Sequence, residues 1–426
     1  MSPHIERSAS RLPPEDAAMD QVGLGRSPRI VVVGLDAPGL AASAARAGYS
    51  VCAVDYFGDL DLKSVCLHSQ SIIQQRIGES SGTVETRYKP RGLLEIARRL
   101  VSLCRPQFMM LASGLDDSGN TLEELNELVP ILGNSPSAIK RVRDKRFFLD
   151  ELGRLSLPHP KTIFADDRAE AEAAAAQIGF PLVMKPWSTS GGTRIELVKN
   201  TMDLAESFAR VRGSSSCALV QRYVPGIPAS VSVISASGHA KSLAASKQIL
   251  GDHRLFQQHA FGWCGNVVPI SMRRDVTREC MRIAEEVCVH FKLVGSNGVD
   301  FVISPDGHPY VIEVNPRFQG TLECVEKAFG LNVVKMHVNA CLRGKLPAKI
   351  AHQRAFCTRL IVYAPERCLV PDFRHESWLR NVPLPGSLVE KGEPVCSVLA
   401  LGRTEGQSLG LARRRASKVL RALGVK

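Results

Sequence analysis

In VIEVNPRFQG (311–320), Glu313, Asn315 and Arg317 interrupt a stretch whose Val311, Ile312 and Val314 read as a buried strand. Burying an unpaired carboxylate is expensive, so Glu313 requires a strong partner. Upstream, GVDFVI (298–303) and YVIEVN (310–315) flank SPDGHP, a strong turn signal, and the two runs pair as a hairpin. If Ile303 faces Tyr310, then Asp300 faces Glu313 in the same register, and Glu313 and Asn315 share a face by the two-residue period of a strand. Two carboxylates and an amide then converge, and like charges this close need a cation between them. An all-oxygen set of few protein ligands suits Mg2+, or Mn2+ in its place, and leaves coordination positions for substrate phosphates.

A second stretch brings positive charge. In PLVMKPWSTSGGTRI (181–195), Lys185 ends an apolar strand, where its ammonium emerges at the sheet edge toward a polyphosphate. The STSGG that follows offers hydroxyls and a backbone free to fold its amides over phosphate. Lys145 opens a helix in RDKRFF and, taken alone, reads as part of a solvated face. LVQRYVPG (219–226) is an apolar strand running into Pro-Gly, able to present its backbone to a purine while apolar neighbours sandwich the ring. The first βα turn, GLDAPG (34–39), has the outline of a dinucleotide fingerprint, but Asp36 stands where a glycine must let pyrophosphate approach, and its carboxylate would repel it. Cys264 has no nameable triad partner and reads as a packed thiol beside Trp263.

The elements that must hold these residues follow from periodicity. RIVVVGL (29–35) is a continuous apolar run of the kind buried on both faces of a parallel sheet. Helices and strands alternate after it to about residue 135, which predicts a doubly wound domain over 29–135. The pattern over 136–345 is mixed α+β, with a small lobe at about 155–225 and the metal-bearing lobe at about 226–345. Residues 346–426 read as a small β-rich closing region ending in a basic amphipathic helix, LARRRASKVLRALGVK. Residues 1–28, rich in Ser, Pro and charge, read as a disordered tail without a secretory signal. The fold class is therefore α/β: a doubly wound parallel-sheet domain, a two-lobed α+β domain and a small β-rich C-terminal region.

The net charge of +12 raises nucleic acid as a partner, but the basic residues are spread out and aromatic residues make up 6 %, with no basic–aromatic interleaving to stack bases. No apolar run reaches the length of a membrane span, so no membrane partner is expected. The scattered cysteines, none in a C-x-x-C pair, read as reduced thiols and place the chain in the cytoplasm.

A lysine ahead of a small domain, a strand lysine with a Gly-rich flap, QRYVPG and GVDFV…VIEVNPR, in this order over residues 29–345, resemble the ATP-grasp superfamily. VDYFGDLDL, GNVVP and NPRFQGTLE are similar to its predicted carboligases related to biotin carboxylase. The resemblance implies an ADP-forming carboxylate–amine ligase that binds ATP and Mg2+. Lys145 and Lys185 would bind the ATP phosphates, and Ser188, Thr189, Ser190, Gly191 and Gly192 would form the flap. Gln221, Arg222 and Val224 would line the adenine hinge. Asp300, Glu313 and Asn315 would hold the metal, Arg317 would stabilise the transferred phosphoryl group, and Lys247 would assist the phosphates. Pro228 stands where the family often carries an acidic ribose ligand. The partners implied are a small carboxylate and an amine, with glutamate suggested by the positive balance, and a homodimer is one assembly this allows. A bicarbonate-using carboxylase and a nucleotide-binding regulator without turnover are the alternatives.

Overall fold

The computed structural model describes residues 27–188, 191–213 and 215–425. Thr189 and Ser190 of the expected flap, and all but the last two residues of the expected tail, lie outside the described residues. Arg29–Val33, Ser50–Asp55, His68–Ser71 and Phe108–Leu111 form a parallel sheet in which Arg29–Val33 lies between Ser50–Asp55 and Phe108–Leu111. The chain first winds to one side of Arg29–Val33 and then crosses to the other. That reversal opens a crevice at the carboxyl ends of Arg29–Val33 and Phe108–Leu111. The loops leaving those two strands carry Asp36, Asp116 and Asp117.

The small lobe is a four-stranded antiparallel sheet of Thr162–Ala165, Ala218–Arg222, Leu182–Pro186 and Glu196–Val198, in that order. Helices Arg168–Ile178 and Thr201–Arg212 bury their apolar residues against it. Asp167 and Asn200 cap them by accepting backbone N–H groups of their first turns.

The expected metal-bearing lobe and the expected C-terminal region are not separate bodies. One eight-stranded sheet runs from Pro309–Asn315 through Gly295–Ile303, Ile227–Ala236, His239–Leu250 and Trp263–Val268 into Phe356–Tyr363, Pro394–Gly402 and Leu379–Arg380. Without Phe356–Tyr363, strand Trp263–Val268 would present a bare edge of unpaired backbone groups, and four register pairs between them satisfy it. The expected boundary near residue 345 thus falls inside a single sheet. The basic helix Glu405–Ala422 lays Ala412, Ala416, Val419 and Leu420 on this sheet, with Arg413, Arg414 and Arg421 outward and Arg415 donating to the Leu399 carbonyl of the sheet.

The hairpin register also differs from expectation. Ile303 pairs with Pro309, not Tyr310, while Asp300 does pair with Glu313. A β-bulge at Ile312 absorbs the one-residue difference.

The N-terminal domain docks on the rest of the chain through Glu326, which is 5 % exposed. Its carboxylate accepts from Ser43 Oγ, from Arg46 Nη2 at 2.6 Å and from the Val333 backbone N–H at 2.8 Å. Glu326→Ala leaves the Ser43 hydroxyl proton and the Val333 amide buried without an acceptor. It is expected to lower unfolding free energy by about 2–3 kcal/mol in urea titration, with most of the loss from those two groups because Arg46 is half exposed.

Candidate active site

A cavity of about 460 Å³ opens where the parallel domain, the small lobe and the long sheet meet. Lys145, Lys185, Gly191, Gly192, Gln221, Arg222, Val224, Asp300, Glu313, Asn315 and Arg317 all contribute to its wall. Lys247 does not. Strand side chains alternate, and the cavity-facing neighbour is Gln248, while Lys247 turns away to pair with Glu405 at 3.3 Å. The expected phosphate role of Lys247 is corrected on that ground.

The bulge explains how Ile312 and Glu313, consecutive in sequence, both reach the cavity. A regular strand would have sent them to opposite faces. Glu313 Oε2 lies 3.4 Å from Lys145 Nζ and 3.5 Å from Arg143 Nη1. Burial alone would raise its pKa, but Lys145, Arg143 and Lys185 together hold it below the usual carboxylate range. Asp300, directly across, shifts the other way. Burial and then the facing Glu313 charge push it up to about 6, although its oxygens accept from Ser230 Oγ at 2.5 Å and Asn315 Nδ2 at 3.1 Å. Two carboxyl groups facing each other this closely are a pair that a divalent cation between them would satisfy. Two carboxylates and the Asn315 amide oxygen are a hard, all-oxygen donor set that fits Mg2+. Among the described residues no three His, Cys, Asp or Glu gather as a fuller cage.

Lys145 is the first residue of helix Lys145–Arg154, whose N-cap Asp144 accepts from Phe147 N–H, so the ammonium and the helix N-terminus face the cavity together. Lys185 sits near the end of Leu182–Pro186, and burial, with Lys145 nearby, lowers its pKa to about 8 despite the opposing pull of Glu313. Arg317 is clamped by Asp116 Oδ2 at 2.7 Å and Asn315 Oδ1 at 3.1 Å.

The described residues of the expected flap, Ser188, Gly191 and Gly192, are held by contacts beside this group. Ser188 Oγ donates to Asp117 Oδ2 at 2.5 Å and Trp263 N–H donates to Gly191 O at 2.9 Å. Gly192 has φ +76° and packs so closely that a Cβ would fall 2.0 Å from the Phe261 carbonyl oxygen. At the hinge, Gln221 donates to Thr162 Oγ1 at 2.8 Å, which turns its amide into the small-lobe sheet, while Val183, Ile195, Leu219 and Ile312 offer apolar faces to a ring. Cys264 is fully buried, hydrogen-bonded to the backbone of Gly262 and Asp252, and its thiol is raised to about 11 by burial, which fits packing.

Sequence reasoning missed Arg143, Asp116, Asp117 and Gln248. Arg143 forks onto Asp117 at 2.7 and 2.9 Å and also reaches Glu313, linking flap, N-terminal loop and metal hairpin. The signal for the aspartates was present: an Asp-Asp pair just beyond a parallel strand, at the edge where such sheets place ligands.

Comparison with known proteins came out in one direction. The ATP-grasp domain family matches residues 142–321. An uncharacterised protein of Methanocaldococcus jannaschii is 23 % identical over 381 residues, covering 88 % of this chain and 89 % of its own. Among solved structures, the biotin carboxylase of Campylobacter jejuni superposes with a TM-score of 0.71 at 15 % identity, covering 90 % of this chain and 89 % of its own. An L-amino acid ligase from Bacillus licheniformis gives 0.69 at 14 % identity, with 93 % and 98 % covered.

Asp300→Asn removes the charge that Glu313 opposes. Because the folded-state pKa is raised, the ionised carboxylate costs stability as pH climbs through about 6. The variant is expected to gain about 1 kcal/mol over the parent at pH 8 without metal, net of the Asn315 hydrogen bond, and to lose the Tm increase that millimolar Mg2+ gives the parent.

Proposed function

We propose that the protein, whose residues 142–321 match the ATP-grasp domain family, is an ATP- and Mg2+-dependent ligase that activates a carboxylate as an acyl-phosphate and joins it to an amine, releasing ADP and phosphate. One observation carries this reading. Glu313 faces Asp300 across the hairpin while two lysines and Arg317 line the same cavity. Nucleotide binding alone would not require a clamped guanidinium beside the metal pair.

The chemistry is a problem of like charges. A carboxylate must approach a triphosphate in line, and both are anionic. Lys145 and Lys185 hold the phosphates. Asp300, Glu313 and Asn315 would hold Mg2+, which supplies charge neutralisation when bound. Arg317, fixed by Asp116, faces the position where negative charge grows as the phosphoryl group moves. The acyl-phosphate hydrolyses readily in water, and the flap at Ser188 and Gly191–Gly192 closes the cavity over it. An amine then attacks the acyl carbon, the bond to phosphate breaks and an amide forms. Biotin carboxylase as a structural neighbour also admits bicarbonate as the carboxylate, so bicarbonate belongs in any substrate panel.

The direct test is hydroxylamine trapping. With ATP, Mg2+ and a panel of small acids including bicarbonate, the parent protein is expected to release ADP with one or more of them, and organic acids are trapped as hydroxamates. Arg317→Ala is expected to slow ADP release by about 10²–10³-fold, the size of losing one aligned donor to a developing charge. Turnover surviving intact in Glu313→Ala and Lys185→Ala would sink the reading.

A pH series gives a second check. Lys185 is charged below about 8, so ATP affinity measured by calorimetry is expected to weaken as pH rises from 7 toward 9. Lys185→Arg, which stays charged, is expected to flatten that decline.

A further inference from the structure

At one end of the cavity Asp36 and Asp59 contribute to the wall, and two further carboxyl groups, Asp55 and Asp61, gather with them. Asp55 is 0 % exposed and Asp59 is 4 % exposed. Among the described residues one ion pair reaches the group, from Arg359 Nη2 to Asp36 Oδ2 at 3.2 Å. The other partners are neutral. Asn381 Nδ2 donates to Asp36 Oδ1 at 2.8 Å and to Asp59 Oδ2 at 3.4 Å, and Gln75 Nε2 donates to Asp59 Oδ1 at 3.1 Å. Asp61 accepts from the backbone N–H groups of Asn381 and Val382. Burial and the neighbouring acids hold Asp59 well above the usual carboxylate range. Carboxyl groups outnumber cations here, and Asp36 and Asp59 open onto the cavity, where a bound cation would let Asp59 ionise.

A second feature at the same place asks for a ligand. Arg359 also lines the cavity, its side chain is 8 % exposed, and its Nε proton has no acceptor among the described residues. A buried guanidinium N–H without an acceptor is costly, and an oxygen on a bound molecule would satisfy it. The aromatic rings of Tyr56 and Trp263, on the same wall, suit a cation as well.

We propose that this end of the cavity receives the amine substrate in its ammonium form, held by Asp36 and Asp59, one of which takes the proton that the nitrogen must lose before it can attack, with Arg359 donating to an oxygen of the same molecule. The proposal rests on the ligase reading, since it assigns the second substrate of that reaction. It also reverses the glutamate-like acceptor suggested by the overall charge. The chain is basic as a whole, yet a side-chain carboxylate arriving here would meet acids. The class expected is a cationic amine carrying a carbonyl or carboxylate oxygen close to its nitrogen.

The test uses binding before turnover. The full chain with ATP and Mg2+ is titrated with L-lysinamide and, separately, with hexanamide, which lacks both amines, following Tm and calorimetric Kd. Lysinamide is expected to raise Tm and hexanamide is not. Asp59→Asn and Asp36→Asn are each expected to weaken lysinamide about tenfold, the worth of one charge-assisted hydrogen bond. Binding of hexanamide as tight as that of lysinamide, or no binding of lysinamide, overturns the proposal, and both are read on the parent protein even if a variant fails to fold. Equal lysinamide affinity in folded variants overturns it too. Failure of the ligase reading appears elsewhere, as no hydroxamate and no ADP from any acid in the parent, a measurement that does not depend on this end of the cavity.

Discussion

A carboxylate that three cations can reach, facing a second carboxylate that none of them touches, is the constraint around which this molecule is built. Glu313 is kept ionised by Lys145, Arg143 and Lys185, while Asp300, one strand away, is held back by the same Glu313 charge. Each group alone would be an ordinary buried ion seeking a partner. Together they form a dipolar slot, with Asp300 on one side of Glu313 and the lysines on the other. The cost of assembling uncompensated charge is tolerable because the surrounding sheet and domain contacts over-determine the positions.

Those positions come from four separate parts of the chain, which is why the fold needs several bodies. The hairpin delivers the acids, helix Lys145–Arg154 and strand Leu182–Pro186 deliver the lysines, and the loop after Phe108–Leu111 delivers Asp116 and Asp117. Arg143 is the point at which these meet. Its guanidinium touches Asp117, Glu313 and the Val314 carbonyl, and Asp117 in turn receives the flap through Ser188. Ser188 is thereby joined to Glu313 through Asp117 and Arg143, over direct contacts.

Much of this was legible in the sequence because the relevant periods are short. The two-residue alternation of a strand was enough to place Asp300 opposite Glu313 and Asn315 beside it, and the apolar runs at 29–35 and 181–186 read as the strands they are. What was not legible involved one-residue phase and long-range pairing. The bulge at Ile312 leaves no composition signal, and it made the Ile303–Tyr310 register wrong while sparing the pair that mattered. Lys247 and Gln248 differ by one step of the same alternation, and nothing local says which of two adjacent polar residues faces inward. Arg143 sits in a basic run, RVRDKR, where its neighbours look equally charged and only the fold shows that it alone is buried against Asp117. The acids at 36, 55, 59 and 61 scatter over 26 positions and gather only when the first and second strands align and the C-terminal strands close over them.

The eight-stranded sheet has a consequence for how this chain can be divided. The hairpin that carries Asp300 and Glu313 and the closing strands are joined by continuous backbone pairing, from Pro309–Asn315 at one margin to Pro394–Gly402 and Leu379–Arg380 near the other. A fragment cut after the Arg143–Gln319 span would keep Lys145, Lys185 and Arg317 yet expose a raw sheet margin and lose Arg359 and Asn381, which hold Asp36. Any exchange of that surface thus means moving Phe356–Tyr363 and its partner strands as a block, with the first βα turn, because those far-apart stretches are held together by direct contacts.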